Sequence, residues 1–270
     1  MSLGSDAEPD ADTGAAEGFE AIIQVEALET LFEAVNTLVD ECKINLTDGG
    51  LEITAVDPAN VAMVDAELDA AAFEAYQAGG GVIGLNVDRV LDVLSVPDGE
   101  ELAQLAYDPA TRKLVIEVGG FEYTLALIDP ETIRQEPDIP DLGLEARLVI
   151  DGGQLDRALT AAGIATASSS SKSGHMRLQV DAEAAVCHII AEGDTDDVDY
   201  TFDTGDAIDM TIGPADSMFS LEYWNDVATP IDDDARVSIR IGEEMPARMA
   251  YSAVDGRLHL DYMISPRVGQ

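Results

Sequence analysis

The sequence predicts an α+β fold of two similar domains, each built mainly from antiparallel strands with two helices packed on one face of the sheets. Three observations lead to this prediction. One order of strands and helices occurs twice, about 130 residues apart. Tight glycine turns join neighbouring strands, as antiparallel pairs require. The helical segments are too few for the crossovers that a parallel sheet needs.

The first copy begins with an apolar strand, predicted over residues 19–25, and continues with an amphipathic helix over 26–40. Further strands, a short helix over 88–95, and strands that end near residue 128 complete this copy. The first helix is the clearest element, because apolar residues recur at helical spacing opposite an acidic face. Its apolar stripe consists of Leu28, Leu31, Phe32, Val35, Leu38 and Val39.

The second copy repeats this order with a strand over 146–150, a helix over 153–165, strands, a helix over 216–227, and strands that end at 264. Its first helix again carries an apolar stripe, formed by Leu155, Ala158, Leu159 and Ala162. Turns with Asp-Gly or Gly-Gly, as at Gly119-Gly120 and Asp255-Gly256, connect the strands.

A proline-bearing acidic segment, here called the strap, separates the two copies. Its prolines remove backbone donors and favour extended geometry, so we expect it to cross the surface without joining a sheet. The predicted division is an acidic, flexible tail (1–18), an N-terminal domain (19–128), the strap (129–143) and a C-terminal domain (144–270).

The charge is the most unusual bulk property, because 14 basic residues stand against 54 acidic ones, a formal net charge of −40. Such a chain repels itself at low ionic strength. At molar salt the Debye length falls to roughly 3 Å and that repulsion largely vanishes. We interpret the composition as adaptation to a very salty cytoplasm, with an acidic protein of an ordinary cell as the alternative.

The sequence shows few signals for disulfide bonds, membrane insertion, secretion or catalysis. Cys42 and Cys187 lie in apolar, strand-like runs and are predicted to be buried free thiols. The absence of a long apolar stretch or a signal-peptide pattern indicates a cytoplasmic protein without a membrane span. No catalytic constellation, metal-ligand spacing or phosphate-binding loop is found, so we predict neither an enzyme nor a cofactor.

Four segments carry a family resemblance: residues 50–68 (GLEITAVDPANVAMVDAEL), the strap with its D-I-P, residues 218–231, and residues 260–268 (LDYMISPRV). Together they resemble the sliding clamps of the proliferating cell nuclear antigen family, in a halophilic archaeal form. The resemblance extends over practically the whole chain except the acidic tail. It implies a homotrimeric ring of six similar domains around double-stranded DNA, with sheets outside and helices on the inner face.

The resemblance also implies partners. A clamp serves as processivity factor for DNA polymerase and as a docking platform for the clamp loader, nuclease and ligase, which bind through short peptides. Such a peptide would fill an apolar pocket beneath the strap. The matching positions are Val56, Asn60, Met63, Asp138, Ile139, Pro140, Pro246, Met263, Ser265 and Pro266. For Val56, Met63 and Met263 the alternative is an ordinary place in the core.

Two further sites follow from the ring. Alternating apolar runs, one per domain, are candidate edge strands for subunit contacts, although both also fit internal strands. These runs are Phe121, Tyr123, Leu125 and Leu127, and Val198, Tyr200 and Phe202. On the DNA side we expect Arg89, Arg157 and Asn36, without the several lysines that family members carry there. An acidic DNA mimic or protein-interaction module remains the alternative function, because it explains the charge directly.

Overall fold

The computed structural model describes residues 16–137, 142–167 and 174–267. Its N-terminal half contains strands, two helices and the beginning of the strap. These elements are β1 (Phe19–Gln24), α1 (Val25–Asn36), β2 (Glu41–Thr47), β3 (Gly50–Val56), β4 (Ala62–Asp69), β5 (Ala75–Ala78), β6 (Val82–Asn86), α2 (Val87–Leu94), β7 (Leu102–Asp108), β8 (Lys113–Val118) and β9 (Phe121–Ala126).

The C-terminal half has the same sequence of elements. They are β10 (Ala146–Asp151), α3 (Gly152–Thr166), β11 (His175–Asp181), β12 (Val186–Glu192), β13 (Asp197–Phe202), β14 (Asp209–Thr211), β15 (Asp216–Ser220), α4 (Leu221–Ala228), β16 (Arg236–Ile241), β17 (Ala247–Ala253) and β18 (Leu258–Ile264).

All strand pairs between these elements are antiparallel, and they form three sheets within the described residues. The five-stranded sheet has the order β5-β1-β7-β8-β9, and the four-stranded sheet has the order β13-β12-β11-β15. The nine-stranded sheet, β14-β10-β16-β17-β18-β4-β3-β2-β6, crosses from one half of the chain to the other. Each half therefore contributes one five-strand set and one four-strand set, which is the repeat that the sequence predicts.

The two halves meet where β4 of the first half pairs with β18 of the second. This joint has a continuous register from Leu258 opposite Leu68 to Ile264 opposite Ala62. One face of the sheets is covered by helices, because the apolar stripes of α1 and α3 are buried there together with Trp224 of α4. Burial of these stripes is the main contribution that holds helices to sheets.

The turn between β8 and β9 follows the sequence prediction directly. Gly119 and Gly120 both adopt positive φ, at 54° and 95°, between the paired residues Val118 and Phe121. A two-residue turn with both central φ values positive matches the twist of the flanking strands and strongly favours glycine. The hairpin brings β9 against β8, and no other described strand pairs with the second side of β9.

Two element limits differ from the sequence prediction. Helix α1 ends at Asn36 and not at residue 40, since Leu38 and Val39 remain buried in the following turn and so prolong the apolar pattern. The predicted helix over 216–227 is wrong in its first part. Asp216–Ser220 is strand β15, which pairs with β11, and only Leu221–Ala228 is helical.

The two cysteines are as predicted: both are free and buried. Burial raises the pKa of the Cys42 and Cys187 thiols to about 12, so both stay protonated and inert at neutral pH. In the part of the chain that the structure describes, the helices are too short or too polar to span a bilayer.

Candidate functional site

Three apolar residues lie side by side on the outer, helix-free face of the nine-stranded sheet. Val56 of β3 is opposite Met63 of β4, and Met63 is opposite Met263 of β18. Val56 and Met63 are each 8% exposed, whereas Met263 is half-buried. Antiparallel register thus unites residues about 200 positions apart into one apolar row across the joint between the two halves.

The other predicted pocket residues lie around this row. Asn60 is exposed, and its Oδ1 accepts a hydrogen bond of 2.7 Å from Arg134 Nη1 of the strap. Continuing the β17–β18 register places Pro246 opposite Ser265, and both are half-buried, as is Pro266. The backbone N–H of Ser265 donates to Val61 O at 2.7 Å.

The strap residues assigned to the pocket are not covered by the structure. Asp138, Ile139 and Pro140 lie outside the described residues. Two residues from the first part of the strap are held in place. Ile133 is buried, with 7% of its surface exposed, and Glu136 Oε1 lies 3.1 Å from Lys43 Nζ. With the Arg134–Asn60 bond, these contacts fix the first part of the strap against the N-terminal half.

Asp57 organises the loop that carries the pocket residues. Its carboxylate accepts backbone hydrogen bonds from Ala59 (2.8 Å), Val61 (2.6 Å) and Ala62 (2.7 Å), and one from Tyr223 Oη at 2.7 Å. Burial opposes ionisation of Asp57, but these four hydrogen bonds outweigh it and hold the pKa of the carboxyl below its ordinary value. The loop is therefore built around an ionised carboxylate.

Tyr223 ties this loop to the second half of the chain, because it belongs to α4. Burial and the bond to Asp57 raise its pKa, so the hydroxyl remains a donor. Asp57 lies in the segment 50–68 that carries the family resemblance, but the sequence analysis assigns no role to Asp57, Tyr223 or Ile133. An Asp followed by Pro-Ala-Asn after a strand is itself a turn signal, and it could have identified Asp57.

The two candidate interface runs lie in strands at the ends of sheets. Strand β9 is the last strand of the five-stranded sheet, and β13 is the first strand of the four-stranded sheet. Each therefore has one side without a strand partner among the described residues. Leu125 and Phe202 are 2% and 1% exposed, so these two side chains belong to the core.

The remaining interface candidates are half-buried and pack against the core: Phe121, Tyr123, Leu127, Val198 and Tyr200. Aromatic rings lie next to one another within each strand. The ring centroids are 6.5 Å apart for Phe121 and Tyr123 of β9 and 5.0 Å apart for Tyr200 and Phe202 of β13. Their role in subunit contacts stays a prediction.

The helices expose few cations. Arg89 of α2 and Arg157 of α3 are exposed, and their contact with DNA stays a prediction. Asn36 is half-buried at the end of α1, and its amide nitrogen can donate to Asp88 Oδ1 and Val39 O, each at 3.2 Å. It thus links α1 to α2 and leaves less of the amide for an external ligand.

Comparison with known proteins identifies the family. The sequence profile described as "Proliferating cell nuclear antigen, N-terminal domain" matches residues 19–118. The DNA polymerase sliding clamps of Natronomonas pharaonis and Haloarcula marismortui are each 48% identical over 250 residues, which cover 93% of this chain and 98% of theirs. The chain belongs to the proliferating cell nuclear antigen family.

Solved clamp structures agree with this assignment. The structure described as "C-terminal region of FEN-1 bound to A. fulgidus PCNA" is similar with a TM-score of 0.84 and 32% identity, covering 93% of this chain and 99% of that one. The proliferating cell nuclear antigen of Thermococcus kodakaraensis has a TM-score of 0.80 at 24% identity, with 92% of this chain and all of that one covered, and supports the fold alone. The α+β clamp fold is confirmed.

Proposed function

We propose that this chain is a DNA polymerase sliding clamp that closes as a homotrimer around duplex DNA and docks replication and repair proteins. It acts as a processivity factor and not as an enzyme, and it works in the cytoplasm where the chromosome lies. Relatives named as DNA polymerase sliding clamps over nearly their whole length support the function. The domain division at residues 19–128, 129–143 and 144–270 is part of this proposal.

One observation carries the ring proposal. Each half has a five-strand set that ends in β9 or β18, and a four-strand set that ends in β4 or β13. Within the chain, β18 of one set pairs with β4 of the other. The equivalent strands β9 and β13 each have a partner on one side only, as far as the described residues extend. Pairing β9 with β13 of another copy would repeat the internal joint and generate a closed, head-to-tail ring.

The internal joint also predicts the register of the subunit contact. In the joint, Leu258, Leu260 and Tyr262 lie opposite Leu68, Ala66 and Val64. We align β9 with β18, and β13 with β4, by their buried positions. We then apply the register of the joint to a contact between β9 of one copy and β13 of another. Three pairs between subunits result, and all come from the candidate runs: Phe121 with Phe202, Tyr123 with Tyr200, and Leu125 with Val198.

For clients, we propose that a short peptide inserts an aliphatic and aromatic plug over the apolar row. The positions assigned to this pocket are Val56, Asn60, Met63, Asp138, Ile139, Pro140, Pro246, Met263, Ser265 and Pro266. The relative from A. fulgidus is bound to the C-terminal region of FEN-1, which supports docking of a nuclease segment. Apolar groups at the centre of a peptide groove supply most of its binding energy.

For DNA, we propose that Arg89, Arg157 and Asn36 face the duplex, with little net attraction. Exposed positions of the four helices carry more carboxylates than arginines: Glu26, Glu33, Asp88, Asp92, Asp156, Glu222 and Asp226. Phosphate contacts normally dominate nonspecific affinity, so encirclement, and not affinity, would retain the clamp.

The decisive experiment is the oligomeric mass of the protein at molar salt, measured by light scattering after gel filtration. We expect a trimer. Tyr200→Asp should shift the mass to the monomer, because it inserts a charge opposite Tyr123 of the neighbour. Thr211→Asp, on the exposed edge strand β14, adds the same charge outside the proposed contact and should leave the trimer intact. A monomeric wild-type protein at micromolar concentration would refute the ring.

A further inference from the structure

Three arginines form an unbroken line on the outer face of the nine-stranded sheet. Arg147 of β10 is opposite Arg240 of β16, and Arg240 is opposite Arg248 of β17. Neighbouring strands lie about 4.8 Å apart, so the line spans about 10 Å. We call these three residues the arginine row.

Such an arrangement needs a reason, because like charges directly opposite each other destabilise a sheet. Two members have carboxylate partners: Arg147 Nη1 lies 2.9 Å from Asp209 Oδ2, and Arg248 binds both oxygens of Asp261 at 3.1 and 2.8 Å. The middle member, Arg240, is exposed and lies within 4 Å of no carboxylate oxygen in the described part of the chain, although its charge, like that of Arg248, acts on Asp261. In a protein with 54 acidic residues, that is notable.

The arginine row continues the apolar row of the proposed client pocket. Arg248 is opposite Met263, which is the outermost residue of the line formed by Val56, Met63 and Met263. One register line therefore runs from apolar groups to cations across six adjacent strands, about 24 Å in length. A single extended segment of about seven residues could contact the whole line.

A groove of about 670 Å³ lies beside this line. The charges that line the groove determine the direction in which a bound segment would extend. Carboxylates of the N-terminal half, Glu52, Asp65 and Glu67, line one side of the groove, and Arg236, Arg248 and the Arg248-bound Asp261 line the other. An acidic segment is repelled from the first side and attracted to the second. It would therefore extend from the apolar row over β17, β16 and β10.

We propose that the arginine row binds carboxylates of a client segment that lie three to five residues beyond the client's apolar anchor. The inference rests on the proposed client pocket and adds to it a charge rule for choosing clients. Arg240 is the principal contact, since its guanidinium makes no close ion pair among the described residues and can bind a carboxylate through two parallel hydrogen bonds. The row thus favours acidic clients within a clamp that is itself strongly acidic.

The test uses two synthetic peptides with the same aliphatic and aromatic anchor, and with either aspartates or asparagines three to five residues beyond it. The aspartates or asparagines are placed on the N-terminal side of the anchor in one pair of peptides and on its C-terminal side in another pair. Binding to the full-length protein is measured by fluorescence anisotropy at a salt concentration where the wild-type mass is unchanged. We expect the aspartate peptide to bind more tightly, and Arg240→Gln to weaken it about threefold while leaving the asparagine peptide unaffected. Arg257→Gln, an exposed arginine at the other end of the sheet, serves as the control.

Other outcomes separate the inference from the proposed function. Equal affinity of both peptides for the wild type would overturn the arginine row alone. Failure of both peptides to bind, or binding unaffected by Met263→Asp, would overturn the client pocket and with it this inference. If Arg240→Gln instead weakens duplex DNA binding, or lowers the melting temperature without changing peptide affinity, the row serves nucleic acid or this chain's own carboxylates and the proposal is wrong.

Discussion

At the scale of single residues, Asp57 illustrates how one carboxylate fixes a binding surface. Its four hydrogen bonds hold the loop between β3 and β4, and the bond from Tyr223 joins that loop to the other half of the chain. The side chain is only 3% exposed. Buried charge is tolerated here because each oxygen is satisfied by donors.

We therefore expect Asp57→Asn to reduce the free energy of unfolding by about 2–3 kcal/mol, since hydrogen bonds to a charged group are lost and an amide nitrogen faces donors. Chemical denaturation at molar salt measures this change. Asp181→Asn is the matched control, because Asp181 accepts two backbone hydrogen bonds but lies at the exposed end of β11. Its replacement should cost clearly less. An equal loss in both variants would contradict the role given to Asp57.

The pH dependence of the same residue has a defined sign. The pKa of Asp57 is lower in the folded protein than its ordinary value of 3.8. Its contribution is therefore complete above the unfolded pKa and is lost as pH falls through the folded pKa. The difference in stability between wild type and Asp57→Asn should be constant near neutrality and shrink only below about pH 4.

At the scale of elements, the sequence predicts most helices and turns, because their signals are local. The stripe of α1 and the Gly119-Gly120 turn are examples. The helix predicted over 216–227 is wrong for 216–220, because Met218 and Phe219 fit a strand as well as a helix and pairing with β11 decides for the strand. The arginine row could not be predicted, since it depends on the register of strands that are distant in sequence.

Replacing either of two glycines by alanine should change the stability of the protein, in opposite directions at the two positions. At Gly84 of β6 an added Cβ would lie 2.7 Å from Ile128 O, where the chain leaves β9 and enters the strap. At Gly163 of α3 it would meet nothing within 4 Å. We expect Gly84→Ala to destabilise the protein by about 1–3 kcal/mol through overpacking, and Gly163→Ala to stabilise it by about 0.5–1 kcal/mol. Equilibrium unfolding measures the free energy of unfolding of both variants. An equal change in the two would contradict the close approach of the strap to Gly84.

At the scale of the whole molecule, charge and topology act against each other. A net charge of −40 on every copy repels other copies, whereas the sheet-edge strands β9 and β13 favour their association. The proposed contact offers no compensation, because β9 and β13 contain Glu122, Asp197 and Asp199 but no lysine or arginine. Apolar pairs such as Tyr123 with Tyr200 would have to provide the attraction, and salt strengthens apolar burial while it screens repulsion.

Assembly should therefore tighten as salt rises. Between 0.1 M and 2 M KCl we expect the trimer dissociation constant, measured by analytical ultracentrifugation, to fall by at least about tenfold, because the Debye length shrinks from about 10 Å to below 3 Å. The double variant Glu122→Gln with Asp199→Asn removes two of the three facing carboxylates and should depend less on salt, with a larger trimer fraction at 0.1 M. A trimer that instead dissociates as salt rises would mean that the subunits are joined by complementary charges, and the apolar β9–β13 contact would have to be abandoned.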